Sequence, residues 1–404
     1  MLKVVTLVVD SAGAVYPFFD ISQELINRGV ELKMYVTSDL TIPETFEHTL
    51  YDDFDTTKAS EDHQVFSAED SAIKLLWESR KIIGSWIPHI VNTLLHAIET
   101  GELDPENTVV IGNSPTFLYL GHFLLAHGFK GFIVLEPYRM VDWLDAWHED
   151  EAQMIPAHMP WLARLLFSSH GHSLTKQYNN NASYDYSDIR KAVIAHAHLY
   201  SPLLCEDKHL ALGYPYPLNT AKKLPENILA FIDNKKQLGQ KIFVLTLGSM
   251  QISAIKQQEM IDEFIKVVHQ QNASAIILGT IANCVQSDDS VLAIDDFVPY
   301  NSLFPEVDLI FHHHGAGTVH LALVSGTPTY AITFLPDQSS WAIKLRNLGI
   351  SVGNSSAKNF NAGTVIQDIQ ENFTPLLIQK AKEFSALESK EGLEAIGGFI
   401  VKNI

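Results

Sequence analysis

Candidate strand segments recur along this chain, several of them short apolar runs, each bounded by turn-forming or polar residues. They read "KVVTLVV", "VELKMYV", "NTVVIGNS" and "GFIVLEPY" in the first half, then "KIFVLTLGSM", "ASAIILGT", "DDFVPY", "VDLIFHHH" and "TYAITF" in the second. A strand with one wet face alternates apolar and polar residues. A continuous run instead marks a strand covered on both faces, which is the signature of a parallel sheet between helices. Helical segments fill the intervals. "FFDISQELINR" follows the loop "DSAGAVY", with Pro17 in the first helical turn and Gly29 closing the helix. Further helices are predicted from Pro115 to His127, from about Ser253 to Gln271, after Gly317, and from about Ser339 to Leu348. The fold class is therefore α/β, with no short-period repeat.

At 404 residues the chain exceeds one ordinary core, so two domains of roughly 200 residues each are expected. The alternation dissolves after Arg139, and "LGYPYPLNTAKKLPEN" concentrates proline, glycine and polar residues. The predicted organisation is an N-terminal domain over 1–215, a linker over 216–240 and a second domain over 241–380. The last residues, 381–404, are expected to form helices that pack back on the first domain. Two βα series joined in this way predict two Rossmann-like, doubly wound domains facing each other across a cleft, with ligands at the carboxyl ends of the strands.

Composition narrows the function. The formal charge of −19, from 28 basic and 47 acidic residues, argues against nucleic acid as a partner and against adsorption to anionic lipid. The longest apolar stretch, Thr116 to Pro137, contains His122, His127 and Lys130 and does not read as a membrane span, so at most peripheral membrane contact is expected. "MLKVVTLVVDSAG" reads as a first strand rather than a secretory signal, and Cys205 and Cys284 offer neither a disulfide framework nor zinc spacing. Both fit a cytoplasmic protein.

Chemistry concentrates where the second series of strands ends. In "VDLIFHHHGAGTVHLALVSG" a buried strand runs into Gly315, Ala316 and Gly317, and Thr318 opens a helix. Small residues admit a ligand close to the backbone, and the N–H groups and dipole of a helix start form an anion site. A purely structural turn is the alternative reading. No metal is expected: His312, His313 and His314 are adjacent, and neighbours on an extended strand point to opposite faces. His170 with His172, and His196 with His198, read as surface or packing residues. Other strand ends add Gly248 and Ser249 from "TLGSM", Phe297 and Val298 from "FVPY", and Asp337 and Gln338 from "LPDQ". An aromatic face suits a base, and a carboxylate beside an amide suits a polyol. Together these contacts describe a nucleotide-sugar site.

The block from "FVPYNSLFPEVDLIFHHHGAGTVHLALVSGTPTYAITFLPDQ" to "NLGISV" resembles the donor domain of the UDP-glycosyltransferase superfamily, glycosyltransferase family one, which has the GT-B fold. It looks most like bacterial members that glycosylate antibiotics and lipids. "DSAGAVYPFFDISQELINRG" is similar to the opening loop of rhamnolipid-type and vancomycin-group enzymes. The resemblance implies an inverting transferase that moves a sugar from a UDP- or dTDP-sugar to a hydrophobic acceptor, with the nucleotide sugar as co-substrate and no other cofactor. It assigns His313 and Gly315 to Thr318 (with Ala316 and Gly317) to the diphosphate. Ser249, beside Gly248, would contact phosphate or ribose; Phe297 and Val298 would frame the base, and Asp337 and Gln338 the sugar. Two positions depart from the family: His314 stands at a usual glycine, and Leu321 where many members carry a ribose-binding glutamate.

The sharpest departure is Ala14, which occupies the position of the aspartate that takes the acceptor's proton. An alcohol is a poor nucleophile at neutral pH, and alanine moves no proton. Four explanations stand: an engineered loss of the base, replacement by Asp10, an acceptor that needs no base, or a catalytically silent protein that only binds. Acceptor-side candidates are Ser11, Gly13, Trp86 and Trp143; aromatic residues at these spacings are more often core than pocket. A homodimer is compatible with this reading.

Overall fold

The structure is a computed structural model. It describes residues 3–7, 12–36, 46–51, 72–136, 178, 190–193, 209–211, 213–215, 223–248, 250, 254–334, 336–387 and 392–404. The side chains of some helix and strand residues, Gly13's neighbour Ala14 and Asp337 among them, lie outside that description.

Two compact units divide the chain. One comprises 1–65, 71–218 and 389–404, and the other is carried by 219–388. The first unit is built on β1 (Lys3–Leu7), α1 (Ala12–Asn27), β2 (Leu32–Val36), β3 (His48–Leu50) and α2 (Ala72–Glu99). It continues with β4 (Thr108–Gly112), α3 (Ser114–Ala126), β5 (Gly131–Glu136), β6 (Arg190–Val193) and β7 (His209–Ala211). Its seven strands are all parallel in the order β3-β2-β1-β4-β5-β6-β7.

The second unit runs α4 (Glu226–Gln237), β8 (Ile242–Thr246), α5 (Ala254–Gln270), β9 (Ser274–Leu278), β10 (Val291–Ile294), α6 (Tyr300–Leu303), β11 (Leu309–His312), α7 (Ala316–Ser325), β12 (Thr329–Thr333), α8 (Pro336–Asn347), β13 (Ser351–Ser356), α9 (Ala362–Asn372) and α10 (Pro375–Leu387). Its six parallel strands follow the order β10-β9-β8-β11-β12-β13. Strands β8, β9 and β11 are buried at every position, as expected of runs covered on both faces. Phe243, Phe264, Phe311 and Tyr330 anchor the core on one face of this sheet, and Ile228, Val244, Ile276 and Ile310 the core on the other.

Several elements differ from the sequence reading, each for a local reason. Helix α1 begins at Ala12, so part of the stretch read as loop is helical and Pro17 lies inside the helix. One turn from the start, proline forfeits a single backbone bond, to the Gly13 carbonyl, and the helix persists. The stretch read as linker carries α4, whose Ile228 and Ile232 are buried. Helix α8 starts at Pro336, where proline suits the first helical position, so Asp337 and Gln338 belong to its first turn. Helix α2 had no counterpart in the sequence reading, because Gly84 and Pro88 punctuate its apolar pattern.

The final helix, α11 (Gly392–Asn403), packs against α1 in the first unit. Leu393, Ile396 and Ile400 enter the core beside Phe18, Ile21 and Leu25. Arg28 pairs with Glu24 at 2.6 Å and donates through Nη2 to the Glu394 carbonyl at 3.0 Å. Close approach depends on glycine: a Cβ at Gly213, where φ is +88°, would lie 2.8 Å from the Gly392 Cα, and one at Gly397 would lie 2.8 Å from the Arg28 Nε. Gly392→Val is therefore expected to destabilise this unit by about 1–3 kcal/mol through overpacking, read as a lower urea midpoint. An unchanged midpoint would show that α11 adds nothing to the unit's stability.

Candidate functional site

In each sheet the strand order reverses once, between β1 and β4 in the first unit and between β8 and β11 in the second. Connections leave such neighbouring strands in opposite directions, which opens a crevice beyond their carboxyl ends. In the second unit the two loops flanking that point are Leu247–Gly248 after β8 and His313–Gly315 after β11. The register sets His312 beside Thr246, so both loops start at the same level.

These loops lock together through one side chain. The His313 imidazole lies between Gly248 and Gly315. A Cβ at Gly248 would come within 2.5 Å of its Cε1, and a Cβ at Gly315 would collide with its Nε2. Gly248 also has φ +57°, a conformation that side-chain-bearing residues rarely adopt. His313 is buried, and its Nδ1 has no hydrogen-bond partner.

Helix α7 starts immediately beyond. Gly315 is its N-cap, with no side-chain hydrogen bond to the first turn, and the first helical bond runs from the Val319 amide to the Gly315 carbonyl at 3.0 Å. The amides of Ala316, Gly317 and Thr318 thus point outward at the positive end of the helix, beside the edge of His313. An anion suits this place. Further along α7, the His320 Nδ1 pairs with the Ala316 carbonyl at 2.6 Å and its ring packs on Trp341 of α8.

The three histidines differ in setting. The rings of His312 and His314 lie tilted by 31° with centroids 4.2 Å apart, whereas His313 stands edge-on to His312 at 6.4 Å. His314 carries φ +57°, in the left-handed region that favours glycine. Burial holds His313 down to about 4; burial and the neighbouring His313 hold His314 down to about 3, and burial first keeps His312 well below the ordinary range. At neutral pH the histidines of the loop are therefore uncharged, and the groups it could offer an anion are peptide dipoles and neutral ring N–H groups. Among the described residues no group of three His, Cys, Asp or Glu could hold one metal ion.

A second tie was not legible in the sequence. The Thr246 Oγ1 lies 2.7 Å from the Tyr300 hydroxyl and accepts the Gly248 amide at 3.2 Å. It joins the β8 loop to α6, where Tyr300 stacks on Phe304. Phe297 and Val298 precede that turn: Phe297 is 76% exposed, whereas Val298 is buried. Gln338 is buried, its Oε1 accepting the Phe334 amide at 2.7 Å and its Nε2 reaching the Met250 sulfur at 3.5 Å. The carboxamide expected to hold a sugar thus braces the segment between β12 and α8.

Other expected site residues fall elsewhere. Ser249, Asp10, Ser11 and Trp143 lie outside the described residues, as do the side chains of Ala14 and Asp337. Gly13 lies in the first turn of α1, and Trp86, on α2, packs partly buried against the core of the first unit. Among the described residues no helix is long and apolar enough to cross a membrane.

Comparison with known proteins agrees with this architecture. No protein-family profile matches the chain. A curated sterol 3-beta-glucosyltransferase of Pichia angusta is 28% identical over 179 residues, 42% of this chain but 14% of that enzyme, so the chain spans about a seventh of that relative's length. Among solved structures, the glycotransferase of kitacinnamycin superposes with TM-score 0.65 at 15% identity, covering 100% of this chain and 99% of its own. The Streptomyces sp. SF2575 glycosyltransferase SsfS6, complexed with thymidine diphosphate, gives TM-score 0.62 at 13% identity, covering 100% of both chains. The chain therefore has the GT-B fold, two parallel-sheet α/β units of the kind these glycosyltransferases share.

Because His313 and His314 are neutral in the fold but would be charged when unfolded in acid, they contribute stability that is full above about pH 6.5. That contribution is lost progressively as pH falls from about 6.5 to about 4 for His313 and to about 3 for His314. For His313 alone the loss from pH 7 to 4.5 is about 2–3 kcal/mol. Urea unfolding of the wild type and His313→Asn at both pH values is expected to show the flatter pH dependence in the variant. Equal slopes would mean that His313 is not held neutral.

Proposed function

We propose that the chain is an inverting glycosyltransferase that moves a sugar from a UDP- or dTDP-sugar to a hydroxyl of a hydrophobic small molecule or lipid. The observation that carries this reading is the uncapped start of α7 beside His313, set at the strand-order reversal of a GT-B unit. The likeness to a transferase named for sterols supports an apolar acceptor, and the likeness to one solved with thymidine diphosphate supports the nucleotide. The first unit would receive the acceptor, and the same reading keeps the protein in the cytoplasm.

In this reaction the acceptor oxygen forms a bond to the anomeric carbon as the bond from that carbon to the diphosphate oxygen breaks. Negative charge grows on the departing diphosphate. The amides of Ala316, Gly317 and Thr318 would meet it, already oriented by the helix, with no reorganisation at the moment of reaction. A neutral His313 would donate a ring N–H to the same group. Phe297, exposed near this end of the sheet, offers a face for the base, and Ser249 and Asp337 would supply the proposed ribose and sugar contacts, with Gln338 bracing the segment before α8 rather than facing the sugar.

The acceptor's proton must go to a base. Ala14 cannot take it, so turnover would rest on Asp10 or on an acceptor that is acidic or carries its own base, whereas an engineered loss of the base would explain its absence. A silent binding protein is the rival; its support is Ala14 alone, whereas the comparisons all point to transferases.

Nucleotide release from UDP-glucose and dTDP-glucose, with a sterol or aromatic alcohol as acceptor, separates the two. Ala14→Asp is expected to raise turnover by about 10²–10⁴-fold, the usual range for a positioned base. If both proteins bind UDP yet neither releases it from the sugar, the transferase reading fails and the silent one stands. Turnover is further expected to survive EDTA; its loss would contradict a diphosphate held by amides and imidazole.

A further inference from the structure

We infer that His312 is a positioning residue for His313: its imidazole accepts the His314 amide and thereby fixes the turn that seats His313 between the two glycines. The inference rests on the reading of His313 as the diphosphate ligand for its functional consequence, but its structural part stands separately.

His312 is the last residue of β11, paired with Thr246 on one side and Ala331 on the other, and it is completely buried. An apolar side chain would be the ordinary occupant of such a place. An imidazole there carries a visible penalty, since its Nε2 is buried without a partner. What the ring supplies in return is its Nδ1, which accepts the His314 N–H at 3.2 Å. That bond dictates the tautomer, because Nδ1 must be unprotonated to accept.

The bond spans the one residue between them, His313. It closes a local turn in which a side chain accepts from the backbone two residues on. His314 then adopts φ +57°, a left-handed conformation that a bulky residue keeps only where its surroundings hold it. The His314 ring returns over His312 at 4.2 Å and closes the same turn from its other side. His313, between them, is driven to the opposite face, into the slot bounded by Gly248 and Gly315. The groups facing the His312 ring from its own loop are thus His313 and His314, both neutral at working pH; Thr246 and Ala331 flank it across the sheet.

Asparagine separates positioning from packing. Its Oδ1 stands as many bonds from the backbone as the His312 Nδ1 and accepts in the same turn, whereas leucine fills the space and accepts nothing. Ring resonances of histidine-labelled protein, with His313 assigned by its loss in His313→Gln, report the seat directly. In the wild type and in His312→Asn, His313 is expected to stay neutral to about pH 4. In His312→Leu it is expected to leave the slot and titrate near the ordinary histidine value of about 6.5. UDP affinity is expected to fall at least about tenfold in His312→Leu and to recover in His312→Asn, an effect of the size of one lost charge-assisted hydrogen bond. Thermal unfolding confirms that each variant is folded.

An unchanged His313 titration in a folded His312→Leu overturns the inference, as does a failure of asparagine to restore it. If the titration moves as expected but the wild type binds neither UDP nor dTDP, the positioning role stands and the proposed function falls. If nucleotide binds but His313→Gln binds it equally well, the diphosphate role of His313 fails, again apart from the seat.

Discussion

One imidazole wedged between two glycines organises the second unit's crevice. His313 reaches from the loop after β11 to Gly248 on the loop after β8, the two strands at which the sheet reverses order. Neither glycine tolerates a Cβ against the ring. The ring thus lies against both loops, and α7 begins beyond it with Gly315 as an N-cap that supplies no side-chain bond. Everything proposed for the donor side depends on this arrangement, because backbone donors act on an anion only if their directions are fixed beforehand.

The proposed diphosphate site would work without a positive charge of its own. The chain carries a formal charge of −19, and the histidines at the site are held neutral by burial. No bulk positive field draws the ligand in. In the proposed site peptide dipoles would therefore carry the attraction, and such dipoles lose little in salt when they act at contact distance inside a crevice. Neutral histidines also leave the site without a charge to desolvate when the ligand is absent. The accompanying weakness is acid, since protonating three packed imidazoles would place like charges side by side in the interior.

Much of the fold was legible because parallel strands covered on both faces leave uninterrupted apolar runs; β8, β9 and β11 carry that mark clearly. Helix edges were less so. Pro17 and Pro336 each permit two readings, before or within a helix, and α4 was masked by the polar residues around its two buried isoleucines. At the site, the glycine-rich turn and the strand-to-helix junction were legible, since small residues before a helix have a physical reason to be there. The partnership of Gly248 with His313 was not legible: 65 positions apart, they meet only through the β8–β11 register. The same holds for Thr246 with Tyr300, whose bond depends on where α6 is carried by the sheet. Gln338 shows the limit most plainly. Its residue type suits a polyol, yet its oxygen is engaged by the Phe334 amide.

The central claim is that peptide amides at the start of α7, with His313, hold a diphosphate. Calorimetric titration of UDP and UMP into the wild type and His313→Ala isolates the second phosphate from the base and ribose. The account predicts that UDP binds the wild type at least about tenfold tighter than UMP and that the variant loses most of this preference, a coupling of about 1 kcal/mol or more. Equal preference for UDP in both proteins would contradict it.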